Sequence, residues 1–229
     1  MADQVVLITG AQGGLGVHVT RAFLDVGARV IGTSRKIDAA DFPSPRFTPM
    51  PADLTSAAAS LQLVQAVVAR FQQIDVLVHV AGGFAGGQPI HETGDATWDS
   101  MMNLNLRAAF NILRAVIPAM RSRSQGRIIA IGSRAGVEPA ANIAAYAASK
   151  AALVSLMKTA ALENKAVGIT ANVILPGTID TEANRKSDPT GDHSKWVSPE
   201  KLAALALYLA SDAGAEITGA AIPVYGAGL

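Results

Sequence analysis

Gln4-Val5-Val6-Leu7-Ile8-Thr9-Gly10-Ala11-Gln12-Gly13-Gly14-Leu15-Gly16 is the stretch that decides how this chain folds. It opens on a short run rich in β-branched residues, the pattern of a buried strand. Glycines at 10, 13, 14 and 16 follow, and the apolar spacing then turns helical as far as residue 26. A strand that ends in glycines and opens a helix lets backbone approach an anion closely. It also aims unpaired N–H groups, and the positive end of the helix dipole, at that anion. Glycines serve ordinary turns too. The strand-turn-helix setting favours a pyrophosphate-binding turn, with Gly10, Gly14, Leu15 and Gly16 against a nucleotide.

Outward from this turn, strand-like and helix-like segments alternate to the end of the chain. Short β-branched runs fall at 4–9, 28–33, 74–80, 127–132, 169–174 and 220–224. Helical apolar spacing fills 14–26, 56–72, 98–122, 145–166 and 198–210. The run Val76-Leu77-Val78-His79-Val80 is continuous, as expected of a parallel strand covered on both faces. This order predicts βαβ units and one α/β domain over residues 1–229: a doubly wound Rossmann fold with a mainly parallel sheet and helices on both faces. Residues 35–53 hold prolines and read as an irregular connection with at most one short strand near 46–49. Residues 182–197 are polar and read as a loop that could act as a lid over a substrate.

Composition narrows the function classes. Lys plus Arg number 19 against 18 for Asp plus Glu, and that near-balance argues against bulk attraction to nucleic acid or an anionic membrane. With no cysteine, disulfides, thiol nucleophiles and thiolate metal sites are excluded. No His/Asp/Glu grouping has metal-ligand spacing, so no metal is expected. No apolar run approaches the roughly 20 residues of a membrane helix, and the first strand begins with no targeting pattern before it. A soluble, cytoplasmic protein acting on a small molecule is the expectation.

The second strand ends in Thr33-Ser34-Arg35-Lys36. A site selective for NAD would place a carboxylate there to hold the ribose 2′-hydroxyl. Ser34 and Arg35 suit a 2′-phosphate instead, which points to NADPH; the plainer reading is two solvated surface cations.

Tyr146 and Lys150 lie four residues apart at the start of a helix and so share one face. A phenol titrates near 10, and a neighbouring ammonium favours its ionised form. Such a pair alone is common on ordinary helices. Here Ser133 ends the strand 127–132 at the sheet edge where open α/β folds bind ligands, and Asn105 lies on the helix before that strand.

At this point the chain resembles the short-chain dehydrogenase/reductase family over essentially its whole length. The matching pieces are Thr9-Gly10-x-x-x-Gly14-x-Gly16, Asp53-Leu54, Ala81-Gly82, Asn105, Ser133, Tyr146-x-x-x-Lys150 and Pro176-Gly177-Thr178-Ile179-Asp180-Thr181. Ser133 precedes Tyr146 by 13 residues, as in that family. The resemblance implies an oxidoreductase that moves a hydride between a nicotinamide and a carbonyl or C=N group. Tyr146 would then be the general acid, Lys150 would lower its pKa and hold the nicotinamide ribose, and Ser133 would bind the substrate oxygen. Asn105 would support a water relay to Lys150, and Asp53 would contact the adenine edge. The backbone around Ile179 and the hydroxyl of Thr181 would seat the carboxamide. A homotetramer or homodimer is implied as well, and the apolar faces of the helices at 98–122 and 145–166 offer surface for it. A non-catalytic NADPH sensor is the alternative from another class, but it would have no need of the proton-transfer set.

The family's Asn-Asn-Ala-Gly stands here as His79-Val80-Ala81-Gly82, and His79 reads as a hydrogen-bonded core histidine rather than a proton carrier. Val80-Ala81-Gly82-Gly83-Phe84-Ala85-Gly86-Gly87 and Thr178-Ile179-Asp180-Thr181-Glu182-Ala183-Asn184-Arg185-Lys186-Ser187 locally resemble quinonoid dihydropteridine reductase. That branch keeps an acidic residue after the second strand, where this chain has Ser34-Arg35. The local likeness marks Phe84 and Trp196 as candidate substrate contacts for a planar pterin or quinone, although Trp196 could simply pin the loop. Arg134, next to Ser133, is a third candidate, and Trp98 reads as an anchor of its helix in the core.

Overall fold

The computed structural model describes residues 1–227. The chain runs β1 (Val5–Thr9), α1 (Gly16–Asp25), β2 (Arg29–Thr33), β3 (Phe47–Pro49), α2 (Ala57–Phe71), β4 (Val76–His79) and α3 (Asp95–Met101). It continues through α4 (Ala108–Arg121), β5 (Gly126–Ile131), α5 (Ala144–Asn164), β6 (Ile169–Pro176), α6 (Glu182–Ser187), α7 (Pro199–Ala210) and β7 (Ala221–Val224). The strands form one parallel sheet of seven in the order β3-β2-β1-β4-β5-β6-β7. The order reverses between β1 and β4, and that switch point opens a crevice at the strands' C-terminal ends.

Helices cover both faces, as the uninterrupted apolar strands require. Leu63, Val67, Ile112, Val116, Leu153 and Met157 bring α2, α4 and α5 against one face. Val19, Phe23, Leu202, Ala206 and Leu209 bring α1 and α7 against the other. Each of these side chains except that of Ala206 contributes about 1.5–3 kcal/mol on leaving water. Helix starts follow side-chain chemistry: Ser56 accepts from the Ala59 N–H at 3.2 Å, and Ser198 accepts from Lys201 N–H at 3.3 Å.

Three local expectations are corrected. The helix expected over 98–122 is α3 and α4 joined through a π-helical stretch, Met102–Arg107, within which Asn105 bonds across to the loop after β4. The polar segment 182–197 is not loop throughout. Thr181 caps α6 by accepting from Asn184 N–H at 3.3 Å, and Glu182 pairs with Lys186 one turn on. Trp98 is not a core anchor, being 44% exposed on α3. No helix among the described residues is long and apolar enough to cross a membrane.

Candidate active site

The C-terminal ends of β1, β4, β5 and β6 open into one cleft of about 1260 Å³. Gly10, Gly14, Leu15 and Gly16 line it beside Ala81, Gly82, Ser133, Tyr146 and Lys150, with Pro176, Gly177 and Ile179 opposite. Sequence positions far apart are therefore assembled on one edge. Phe84, Arg134 and Trp196 line the same cleft.

Backbone geometry explains the glycines. Gly10 adopts φ +66°, and a Cβ there would lie 2.8 Å from the Ala81 nitrogen. A Cβ on Gly14 would come to 3.0 Å from the Thr181 side chain, so Thr181 faces the glycine turn directly. The walls thus hold a narrow slot open between the β1–α1 turn and the residues after β6. This cradle, with the N-terminus of α1 above it, fits the pyrophosphate of a nicotinamide dinucleotide.

The groups expected to carry chemistry are held by buried hydrogen bonds. Lys150 is buried, and its Nζ donates to Ile131 O at 3.0 Å. Asn105 Nδ2 donates to Gly83 O and to Ser149 Oγ, both at 3.0 Å, while its Oδ1 accepts from Gly83 N–H at 2.8 Å. Ser149 Oγ in turn donates to Tyr146 O at 2.7 Å. Asn105 therefore ties the loop after β4 to the first two turns of α5, which carry Tyr146 and Lys150. Ser149 had no separate signal in the sequence beyond its place inside the Tyr-x-x-x-Lys segment.

Electrostatics depart from the expected pattern. Burial pushes the Tyr146 phenol up, and a hydrogen bond with Ser133 opposes the shift. Burial also brings Lys150 down to about 8. The ammonium lies 6.0 Å from the Tyr146 ring centroid and is tied to Ile131 O, so a downward pull by Lys150 on the phenol is not a feature of the protein alone. His79 is buried, as expected of a core histidine, and is down to about 3 through burial first and the Lys150 charge second.

The residues expected on the adenosine side lie apart from this cluster. Ser34 Oγ accepts from Gln12 N–H at 3.5 Å, beside the glycine turn. Arg35 is exposed and lies near enough to Asp53 for its charge to help hold that carboxyl below the usual range, after the two hydrogen bonds from Thr55. Leu54 is buried, and its carbonyl accepts from Asn111 Nδ2 at 2.9 Å, so only its backbone neighbourhood could meet a nucleotide.

On the substrate side, Phe84 is 66% exposed and stands edge-on to Tyr146. Trp196 packs against His193 with centroids 4.2 Å apart and the rings tilted by 44°. The Arg134 guanidinium sits 4.8 Å over the Tyr225 ring and pairs with Glu138 at 2.7 Å. Glu138 and Tyr225 carried no sequence signal, because only the fold brings β7's end next to the segment after β5. Among the described residues no group of His, Asp and Glu could hold a metal.

Comparison with known proteins places the chain in a family. The family model for short chain dehydrogenase matches residues 4–192. A short-chain dehydrogenase/reductase of Penicillium canescens is 34% identical over 251 residues, covering 98% of this chain and 96% of that protein. A 3-oxoacyl-[acyl-carrier-protein] reductase of Salmonella typhimurium is 32% identical over 238 residues, covering 97% and 96%. The solved structure of ElxO with NADP bound superimposes with a TM-score of 0.92 at 26% identity, covering 98% of each chain.

Proposed function

The chain belongs to the short-chain dehydrogenase family of oxidoreductases, and we propose that it uses NADPH to reduce a carbonyl or C=N group, with Tyr146 as general acid. One observation carries this reading: Ser133, Tyr146 and Lys150 line the same cleft as Gly10, Gly14 and Gly16. A nicotinamide held there supplies the hydride. The chain does the rest. Gly10, Gly14, Leu15 and Gly16 hold the pyrophosphate, Ser34 and Arg35 the 2′-phosphate, and Asp53 and the Leu54 backbone the adenine side. Ala81, Gly82, Pro176, Gly177, Ile179 and Thr181 seat the nicotinamide end.

Ser133 orients the substrate oxygen toward the phenol. Because burial keeps Tyr146 protonated well above neutral pH, it is poised to give that oxygen a proton. The Lys150 ammonium holds the nicotinamide ribose and favours the phenolate left behind. Asn105 keeps Tyr146 and Lys150 in register with the loop after β4. The segment 182–197 closes over the substrate, and the protein works as a cytoplasmic homodimer or homotetramer.

Phe84 and Trp196 on the cleft wall favour a second substrate class, a planar pterin or quinone. The Salmonella relative's name adds a 3-oxoacyl thioester to the candidates. NADPH oxidation followed against aliphatic ketones, 3-oxoacyl thioesters, quinones and quinonoid dihydropterin tests the proposal. Turnover of one class supports it. Tight NADPH binding without turnover on any of them would favour a sensor instead.

A further inference from the structure

His79 occupies the switch point of the sheet, at the end of β4 and paired in register with Thr9 on β1 and Ala130 on β5. Its Nδ1 lies 2.9 Å from Thr9 Oγ1. The same oxygen accepts from the N–H groups of Val80 and Ala81, each at 3.2 Å. A hydroxyl has two lone pairs and one proton. Ala81 N–H takes one lone pair and the Val80 N–H, shared with the Thr9 carbonyl at 3.2 Å, leans on the other, which leaves Nδ1 as the nearest acceptor for the Thr9 proton. His79 Nδ1 is therefore an acceptor, and the ring carries its hydrogen on Nε2.

That Nε2–H is buried and has no protein partner. Buried donors of this kind are met by ordered water where the protein offers no acceptor. The His79 side chain shares its sheet face with Leu7, Leu77 and Ala130, the face on which α5 packs. Lys150 comes from α5, and its ammonium is anchored on Ile131 O, one residue beyond the Ala130 that pairs with His79. Its charge reaches the imidazole. The anchor uses only one of the three ammonium hydrogens.

We propose that His79 is a positioning residue for Lys150: its Nε2–H holds a buried water that the Lys150 ammonium also binds. The inference builds on the reading of Lys150 as the site's cation. The water gives the ammonium hydration that burial otherwise removes, and the neutral ring adds no competing charge. Around this point β4 supplies His79, α5 supplies Tyr146, β5 supplies the uncharged Ile131 carbonyl, and the π-helical stretch supplies the uncharged Asn105. Thr9, the register partner of His79 on β1, thereby also sets the tautomer.

The test uses the unmodified protein first. Nitrogen-15 correlation spectra of its histidine rings should show His79 as the Nε2–H tautomer from pH 9 to pH 5, with magnetisation transfer to a long-lived water. An Nδ1–H tautomer, or no such water, overturns the proposal whether or not the protein turns anything over. Titration of Lys150 through its side-chain carbon-13 shift then compares variants. His79→Leu should lower the Lys150 midpoint by roughly one pH unit, and His79→Asn, which keeps a donor, should recover most of the shift. A Lys150 midpoint unmoved in His79→Leu, even with a lower Tm, would leave His79 a packing residue and sink the proposal.

Discussion

The rings of Phe84 and Tyr146 meet edge to face, with centroids 4.9 Å apart and planes at 76°. Phe84 reaches this position from a loop in which Gly82, Gly83, Gly86 and Gly87 leave the backbone few side chains of its own. A Cβ on Gly86 would meet Ile143 Cγ2 at 2.8 Å and the Phe84 ring at 3.3 Å, so the small residue lets the aromatic settle against α5. The contact covers part of the phenol and adds to the burial that raises it. Phe84→Ala should move the Tyr146 ionisation down toward the ordinary phenol range, measured by ultraviolet titration. An aromatic pair is worth about 0.5–1.5 kcal/mol, so kcat/KM for a planar substrate should fall roughly two- to tenfold. An equal loss for an aliphatic ketone would remove the planar-substrate reading.

Tyr146→Phe deletes one oxygen from a side chain that packs through its ring. Folding and NADPH affinity should stay close to the unmodified protein. Turnover of a verified substrate should drop about 10²–10⁴-fold, the usual cost of a lost general acid. Rapid-mixing measurements with NADPH and substrate give the comparison, and near-normal turnover would exclude Tyr146 as the acid.

Lys150 couples catalysis to stability. Its folded value is near 8 against 10.5 for the free side chain, so between those values the unfolded chain binds more protons than the folded one. Stability therefore rises with pH across that window, and below it the full cost of a buried ammonium is present. A shift of this size corresponds to a few kcal/mol on an order-of-magnitude basis. Lys150→Met should be inactive yet more stable at pH 7, and its urea midpoint should lose the rise between pH 8 and pH 10. A variant less stable than the parent at pH 7 would contradict this account.

Arg35 decides the cofactor in the proposed reading. A charge-assisted bond to a 2′-phosphate contributes about 1.5–3 kcal/mol, or roughly ten- to hundredfold in affinity. Arg35→Ala should bring NADPH down to NADH in fluorescence titrations while leaving NADH binding almost unchanged. Parity of the two cofactors in the unmodified protein would remove the assignment.

Much of the fold was legible because its signals are local. The glycine turn after β1, the continuous apolar strands and the helical spacing each depend on neighbours a few residues away. Ser133, Tyr146 and Lys150 stood out as candidates for the same reason, each lying in a short segment of recognisable pattern, and the fold brings them to one cleft. The π-helical stretch at Met102–Arg107 was not, since the partners of its Asn105, Gly83 and Ser149, are distant in sequence. The exposure of Trp98 was missed because apolar size alone does not say which helix face meets the core.

By itself the sequence determined the alternation of strand and helix, the side of the sheet on which ligands would gather, and the identity of the residues available for chemistry. Only the tertiary structure decided their electrical state. Tyr146 is raised rather than lowered, Lys150 is brought near 8, and His79 is brought down to about 3. Those outcomes depend on how completely water is excluded and on which lone pairs are already taken. Both are properties of packed neighbours from β1, β4, β5 and α5, and no spacing along the chain encodes them.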